Sequence, residues 1–185
     1  MRGHLSRQSI TGPGNALIDN WVRLKSGAAS DFDGKLARAG RVDEIILSAL
    51  TDNEYFDHNP PKSLDRNASD INLLSQCSEN DGAATLTTFT TASVARGAAF
   101  FPAPAKRRLV TGGGRLNPSL VDDLSRHLEA PMQPVEAVGW DGDALEAQAF
   151  AYLAARSLAG LPLSFPTTTG SEAPTRGGRL EKSPV

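Results

Sequence analysis

Leu109-Val-Thr-Gly-Gly-Gly-Arg-Leu-Asn-Pro118 is the segment of this 185-residue chain from which the fold class follows. The apolar pair at its start predicts a short strand over 107–111, and the glycines after it predict a turn. Proline is favoured in the first turn of a helix, so Asn117 and Pro118 predict a helix that follows at once. A weaker strand is predicted over 133–138. This alternation of strands and helices indicates an α/β protein.

The glycine turn in this segment is a candidate ligand site. Ligands of open α/β sheets bind where the strands end, and a strand ends here. Gly112, Gly113 and Gly114 have no Cβ, so a base or ribose could lie flat against the main chain. Asn117 could cap the following helix or offer its amide to a ligand. The segment lacks the Walker and Rossmann glycine patterns, and a tight turn that binds nothing is the alternative.

A second glycine turn, Thr11-Gly-Pro-Gly-Asn15, precedes a predicted helix over 16–25. Backbone N–H groups at a helix start attract anions, so a phosphate is a plausible ligand. Thr11, Gly12, Gly14 and Asn15 are the candidate contacts. The alternative is a turn that only caps the helix. Two such turns in one α/β chain favour a nucleotide site more than either does alone.

A predicted helix over 144–158 is rich in alanine and apolar on most sides, which indicates a buried helix. The segment 161–170 that follows it is predicted to be extended. Glu146 lies in its first turn among apolar neighbours. A buried carboxylate needs a polar partner, and a ligand rich in hydroxyl groups would supply one. An internal salt bridge is the competing interpretation.

Before residue 105 the pattern is almost entirely helical. Helices are predicted over 35–39, 41–50 and 81–99, while prolines break the segment 57–67. The helix over 41–50 is predicted to have Val42, Ile45, Ile46 and Leu50 on one apolar side. The two predicted strands are too few for the sheet that these helices should cover. Strands are therefore either missing from this chain or supplied by another one.

Composition and charge exclude several classes of protein. The net charge of −2 gives no basic field for nucleic acid or an anionic membrane. No apolar run reaches the length of a membrane span, and the N-terminus has no apolar signal core, so a cytoplasmic location is expected. Cys77 is the single cysteine, and the three histidines lack ligand spacing, so neither an internal disulfide nor a metal site is predicted.

These pieces together resemble the anhydro-N-acetylmuramic acid kinases, which are sugar kinases of the actin/hexokinase-like ATPase fold. The resemblance covers nearly all of 11–170, in the right order and spacing. It is carried by TGPGNALIDNW at 11–21, PPKSLDRN at 60–67, DGAATLTTFTTASVA at 81–95, LVTGGGRLNP at 109–118 and VEAVGWDGDALEAQAFAYLAARSLAGLPLSFPTTTG at 135–170.

The resemblance implies an α/β fold, the C-terminal lobe of an actin-like (ribonuclease H-like) ATPase, helix-rich and with an incomplete sheet. It also implies ATP and Mg²⁺ as cofactors and 1,6-anhydro-N-acetylmuramic acid as substrate, opened and phosphorylated on its 6-oxygen in peptidoglycan recycling. On this chain the glycines at 112–114 then look like an adenosine motif, and Thr11, Gly12, Gly14 and Asn15 like part of the phosphate lining. Glu146 looks like a substrate-facing carboxylate.

The chain also departs from the family pattern. The Gly-Thr-Ser-x-Asp-Gly phosphate loop and the catalytic aspartate of the family are absent, and Ile10 replaces an acidic residue. We expect 1–10 not to match, 11–170 to form the nucleotide-binding lobe and 171–185 to be a flexible tail. The chain alone is expected to be inactive, with no catalytic residue of its own. A separately encoded N-terminal lobe, a homodimer, a non-catalytic nucleotide- or sugar-binding module and an inactive fragment all stay open, as does the role of the Lys62–Arg66 loop.

Overall fold

The fold is built around one long buried helix, α4 (Glu79–Ala98). The computed structural model describes residues 11–60, 62, 70–101 and 103–181. Half of the positions in α4 are buried, and α1, α2, α3 and α5 all pack against it. The other helices are α1 (Ala16–Ser26), α2 (Lys35–Ala39), α3 (Glu44–Thr51), α5 (Pro118–His127), α6 (Leu145–Leu158) and α7 (Pro166–Thr169).

Threonine is a weak helix former, and α4 contains several, so its stability depends on packing and hydrogen bonds. The hydroxyl of Thr85 donates to a backbone carbonyl of its own helix and accepts from the N–H of Asp43, the residue that caps α3. Thr90 donates to the carbonyl of Gly14, 3.1 Å away. These threonines therefore tie the central helix to the segments around it.

The core lies between α1, α4 and α5. Trp21 of α1 is buried and donates from Nε1 to the carbonyl of Glu79 at 2.9 Å. Gly82 of α4 lies under the indole ring, where a β-carbon would come within 2.2 Å of it. Phe89 packs edge-on against Phe56. Large side chains and a close helix crossing therefore fill this side of the molecule.

The sheet in the described residues consists of two strands, β1 (Leu109–Val110) and β2 (Gln133–Pro134). They run parallel, with Leu109 opposite Gln133 and Val110 opposite Pro134. A helix-rich α/β chain with a poor sheet is thus confirmed. Both strands are shorter than predicted, because a 3₁₀ turn occupies 135–138 and the backbone leaves the sheet after Val110.

Three further predictions need correction. The helix over 144–158 exists, but α6 contains no buried residue, so the expectation of a buried helix is wrong. The alanine-rich pattern correctly indicates an apolar helix, but no other described segment packs over α6 closely enough to bury any of its residues. In α3, Ile45 was predicted to lie on the apolar side of the helix, but its side chain is 83% exposed. The extended segment predicted over 161–170 instead contains the short helix α7.

Some predictions lie outside the described residues. These are the segment 1–10, positions 61 and 63–67 of the proline-broken segment 57–67, and the last four residues of the tail. Lys62 of that loop is described, and its ammonium group donates to the carbonyls of Tyr55 and Phe56 at 3.0 and 2.8 Å. Burial lowers the pKa of Lys62. Its contacts with described residues are therefore these two carbonyls and the rings of Tyr55 and Phe100, each with its centre 4.8 Å from the ammonium group.

Candidate functional site

The glycine turn after β1 is exposed and unobstructed. Gly112 has a φ of +68°, in the region that favours glycine, and a 3₁₀ turn over Gly113–Leu116 follows it. A β-carbon on Gly112 or Gly113 would meet nothing within 4 Å. The described chain therefore leaves the outer side of this turn free for a flat ligand.

The second glycine turn lies beside the first. A β-carbon on Gly114 would be 3.3 Å from Oδ1 and 3.6 Å from Nδ2 of Asn15. Asn15 occupies the cap position of α1, but its side chain does not cap that helix. Within the described ranges no hydrogen bond uses the Asn15 amide. The fold thus brings together the two turns that the sequence selected separately, and it leaves one amide available between them.

The other residues of the second turn join it to α4. Gly12 packs so closely on Ser93 that a β-carbon would be 2.8 Å from the serine Cβ. Gly14 has a φ of +60°, and its carbonyl accepts the hydrogen bond from Thr90. Thr11 contacts the C-terminal end of α4 at Gly97. These residues fix the position of the turn, and Asn15 at its end is the one that reaches the first turn.

Asn117 has a structural contact of its own. Its Oδ1 accepts from the N–H of Leu120 at 3.1 Å, which caps α5, and the residue is only 7% exposed. The sequence left two roles open for Asn117, helix cap or ligand contact, and in the structure it caps α5. A contact with a nucleotide stays a prediction.

Arg115 is the residue of the site that sequence reasoning missed. Its side chain is 6% exposed and forms ion pairs with Glu136 at 2.8 Å and with Asp143 at 2.9 Å. Its Nη1 also donates to the carbonyl of Gly112 at 3.1 Å. Arg115 therefore joins the first glycine turn to the segment that leads into α6. The signal in the sequence that could have identified Arg115 was its position directly after the three glycines.

These contacts shift two pKa values. Hydrogen bonds to Glu136 and then Asp143 raise the pKa of Arg115 above its ordinary value. The pKa of Glu136 lies below its ordinary value because its carboxylate accepts first from its own backbone N–H and then from Arg115. A third donor, the N–H of Gly142, lies 3.3 Å from the same carboxylate. Glu136 is therefore held in its charged form.

Glu146 does not have the environment that the sequence suggested. It is exposed in the first turn of α6, and the described residues give it no ion pair. The predictions that Glu146 is buried or forms an internal salt bridge are therefore both wrong for the described residues. A role toward a substrate stays a prediction for an accessible carboxylate.

An apolar cavity of the described chain reaches Thr11 of the second glycine turn, but Gly112, Gly113 and Gly114 do not line it. It has a volume of about 330 Å³, and Val94, Leu109, Leu128 and Met132 are among its lining residues. Thr11 is the one predicted site residue that lines it. Across the described ranges, no three histidine, cysteine or acidic side chains lie close enough together to hold a metal ion. No described helix is long and apolar enough to cross a membrane.

The fold and the site together define an α/β chain with two adjoining glycine turns, one after a strand and one before a helix. Strand ends and helix starts are the places where α/β proteins bind phosphorylated ligands. The chain belongs to the anhydro-N-acetylmuramic acid kinase family, whose sequence profile matches residues 7–181. The resemblance seen in the sequence motifs is thereby confirmed.

Curated relatives agree with this assignment. A protein of Rhodospirillum rubrum named anhydro-N-acetylmuramic acid kinase is 57% identical over 168 residues, which are 91% of this chain and 45% of that protein. Proteins of the same name from Paramagnetospirillum magneticum and Acidiphilium cryptum are 58% and 56% identical, and the match covers 48% of each. The chain thus spans about half the length of the curated relatives it matches.

Proposed function

We propose that this chain forms the nucleotide side of an ATP-dependent anhydro-N-acetylmuramic acid kinase, folded as the C-terminal lobe of an actin-like ATPase. The observation that carries the proposal is the contact between the two glycine turns, where the amide of Asn15 lies beside Gly114. The adenosine lies against Gly112, Gly113 and Gly114, and the phosphates extend toward the turn at 11–15. Family membership and the names of the relatives support the choice of reaction.

In the proposed reaction, water forms a bond to the anomeric carbon of the 1,6-anhydro sugar as the bond from that carbon to the 6-oxygen breaks. The 6-oxygen takes the γ-phosphoryl group of ATP, and water gives up one proton. The products are ADP and N-acetylmuramic acid 6-phosphate, as peptidoglycan recycling requires. Glu146, exposed at the start of α6, would contact hydroxyl groups of the sugar.

Phosphoryl transfer depends on positioning and on charge neutralisation around the phosphates, which Mg²⁺ supplies when it arrives with ATP. We assign no residue of this chain as a metal ligand or as the base that activates water. Both belong to the half of the kinase that lies outside the match. A non-catalytic nucleotide- or sugar-binding module is the second candidate, because the chain spans about half of its relatives.

Calorimetric titration with ATP tests the nucleotide site. Gly113→Leu should abolish binding without loss of stability, because its side chain would enter open space where the adenosine lies. Gly177→Leu is the matched control, since a β-carbon there would meet only Leu163, at an ordinary distance of 3.7 Å. ATP binding that is equal in the two variants would refute the site.

A kinase assay with ATP and the anhydro sugar separates the two candidate functions. We expect binding without turnover for the chain alone. We expect turnover when the remaining half of a relative is supplied. Turnover by the chain alone would show that it contains its own catalytic base, and no turnover in either case would favour the binding module.

A further inference from the structure

Arg115 connects three segments of the chain through three nitrogens of one side chain. Nε donates to Oε1 of Glu136 at 2.8 Å, Nη1 donates to the carbonyl of Gly112 at 3.1 Å, and Nη2 pairs with Oδ1 of Asp143 at 2.9 Å. The planar guanidinium offers these donors in a fixed fork, which the point charge of a lysine does not. Two carboxylates neutralise the charge of this buried side chain. Arg115 is therefore placed to hold protein segments rather than to receive a phosphate.

At the first glycine turn, Arg115 bonds twice to one carbonyl. The Gly112 carbonyl accepts from the backbone N–H of Arg115 at 3.2 Å as well as from Nη1. Gly112 has a φ of +68° and a ψ of −173°, a conformation open almost only to glycine. Glycine loses more conformational freedom on ordering than any other residue. A side chain that fixes this turn in advance therefore lowers the entropy cost of binding a ligand against it.

At its other end, Arg115 holds the segment 136–143. The Glu136 carboxylate that accepts from Arg115 also lies 3.3 Å from the N–H of Gly142. Gly142 packs so closely on the guanidinium that a β-carbon there would clash with Nε. Asp143 is the last residue of the segment, and α6 begins two residues later. The position of this segment therefore depends on the same arginine as the glycine turn.

Exposed ion pairs alone would be weak evidence for a function, because they contribute little to stability. The carboxylates of Glu136 and Asp143 do retain access to water. Arg115 differs from an ordinary surface arginine because the glycine turn and the entry to α6 share its one buried side chain. A displacement at either end therefore reaches the other through contacts of at most 3.1 Å.

We propose that Arg115 is a positioning residue that couples nucleotide binding at the first glycine turn to the segment 136–143, an inference that rests on the proposed function. A nucleotide against residues 112–114 holds the Gly112 carbonyl in place, and Arg115 then holds the two carboxylates. The segment 136–143 becomes more ordered when the nucleotide binds. Because binding couplings are reciprocal, loosening this segment weakens nucleotide binding through Arg115.

Trp140 provides a natural probe of this segment. It lies between Glu136 and Asp143 and is 54% exposed, whereas Trp21 is buried in the core. The chain contains these two tryptophans and no others. Acrylamide, a neutral quencher of tryptophan fluorescence, therefore reports chiefly on Trp140, and Trp140→Phe identifies its share of the signal. Excitation at the red edge of the tryptophan band avoids absorption by ATP.

The test variant is Glu136→Ala, which removes a carboxylate from Arg115 and leaves the bond between Arg115 and Gly112. The matched control is Asp122→Ala, which breaks another ion pair between separate segments, that of Asp122 with Arg38 at 3.1 Å. Loss of a carboxylate near an anionic ligand should by charge alone strengthen binding. Coupling through Arg115 predicts weaker binding, so the direction of the change separates the two effects.

We expect saturating ATP to reduce the quenching of Trp140 about twofold in the parent chain. Glu136→Ala should bind ATP about threefold more weakly by calorimetry and should lose the effect on Trp140 at saturating ATP. Asp122→Ala should match the parent in both measurements. Binding of ATP to Glu136→Ala that equals or exceeds binding to the parent would overturn the inference. So would equal protection of Trp140 in these two chains, because the nucleotide would then shield the ring directly.

The parent chain alone separates this inference from the proposed function. ATP binding without any change in the quenching of Trp140 would refute the coupling and leave the nucleotide site standing, whether or not the variants fold. No ATP binding to the parent would refute the nucleotide site, and the coupling with it.

Discussion

The side-chain amide of Asn15 lies beside Gly114, where a β-carbon on the glycine would be 3.3 Å from its Oδ1. Gly114 belongs to the turn after β1, and Asn15 ends the turn before α1. The two turns meet because the helices that follow them, α1 and α5, both pack against α4. A ligand that spans them would contact two segments that are far apart in the sequence.

Asn15→Ala should weaken ATP binding without changing stability. The amide has no partner in the described chain, so its loss should change the free energy of unfolding by less than about 0.5 kcal/mol. Loss of one hydrogen bond to the nucleotide should raise the dissociation constant about tenfold. Calorimetry and urea denaturation measure the two effects.

The control is Asn117→Ala, which removes the cap of α5 and should cost about 1 kcal/mol of stability. If Asn15→Ala proves to be the more destabilising of the two variants, our view of the Asn15 amide as available for a ligand is wrong.

Gly82→Ala should be among the most destabilising single-atom additions in α4. The new methyl group would lie 2.2 Å from the buried indole of Trp21, and the two helices would have to separate. We expect a loss of about 3 kcal/mol, the upper part of the range for overpacked cores. Thermal denaturation followed by circular dichroism measures it. Gly113→Ala, whose β-carbon would meet nothing within 4 Å, should melt within a few degrees of the parent; equal melting of the two variants would contradict the close crossing.

Two buried threonines of α4 should respond oppositely to replacement by valine. Thr91 donates a hydrogen bond of 2.5 Å to Oδ2 of Asp123, a buried carboxylate on α5. Its loss should cost about 2 kcal/mol, as for other hydrogen bonds to charged groups. The hydroxyl of Thr87 is buried without a hydrogen-bond partner in the described chain. Thr87→Val should therefore be neutral or stabilising, and a comparable loss in both variants by urea denaturation would count against this difference.

The contribution of Glu136 to stability should depend on pH. The pKa of Glu136 in the folded protein lies below that of an ordinary glutamate, so its contribution is complete above the ordinary pKa and is lost as the pH falls through the lowered one. In Arg115→Gln the pKa of Glu136 should rise toward that of an ordinary glutamate but stay below it, because the hydrogen bond from the backbone of Glu136 remains. Carboxyl-carbon NMR titration measures both values.

Asp81 is the internal control for this titration. Its pKa is lowered first by the backbone N–H of Arg41 and then by Ser78, and neither contacts Arg115. A shift of Asp81 in the Arg115→Gln variant would mean that the substitution disturbs the whole fold.

The helices and the family were predictable from sequence because their signals are local. Asn117 caps α5 as predicted, by accepting a hydrogen bond from the start of that helix. The caps of α3 and α4 are Asp43 and Ser78, whereas the predicted starts of these helices were residues 41 and 81. The ends of the strands were less predictable. A two-residue strand is too short to show an alternation of apolar and polar residues. The backbone leaves the sheet after Val110, where the turn with Gly112 at a positive φ begins.

By itself, the sequence determined that this is a helix-rich α/β chain of the anhydro-N-acetylmuramic acid kinase family, and it selected both glycine turns. Only the tertiary structure decided that Asn15 meets Gly114 and that Arg115 holds the first turn through Glu136 and Asp143. It also decided that α6 is exposed. The reason is physical: propensities and caps act over a few neighbouring residues, whereas burial and ion pairs depend on which distant segments pack together. An apolar helix has the same pattern whether or not another part of the protein covers it.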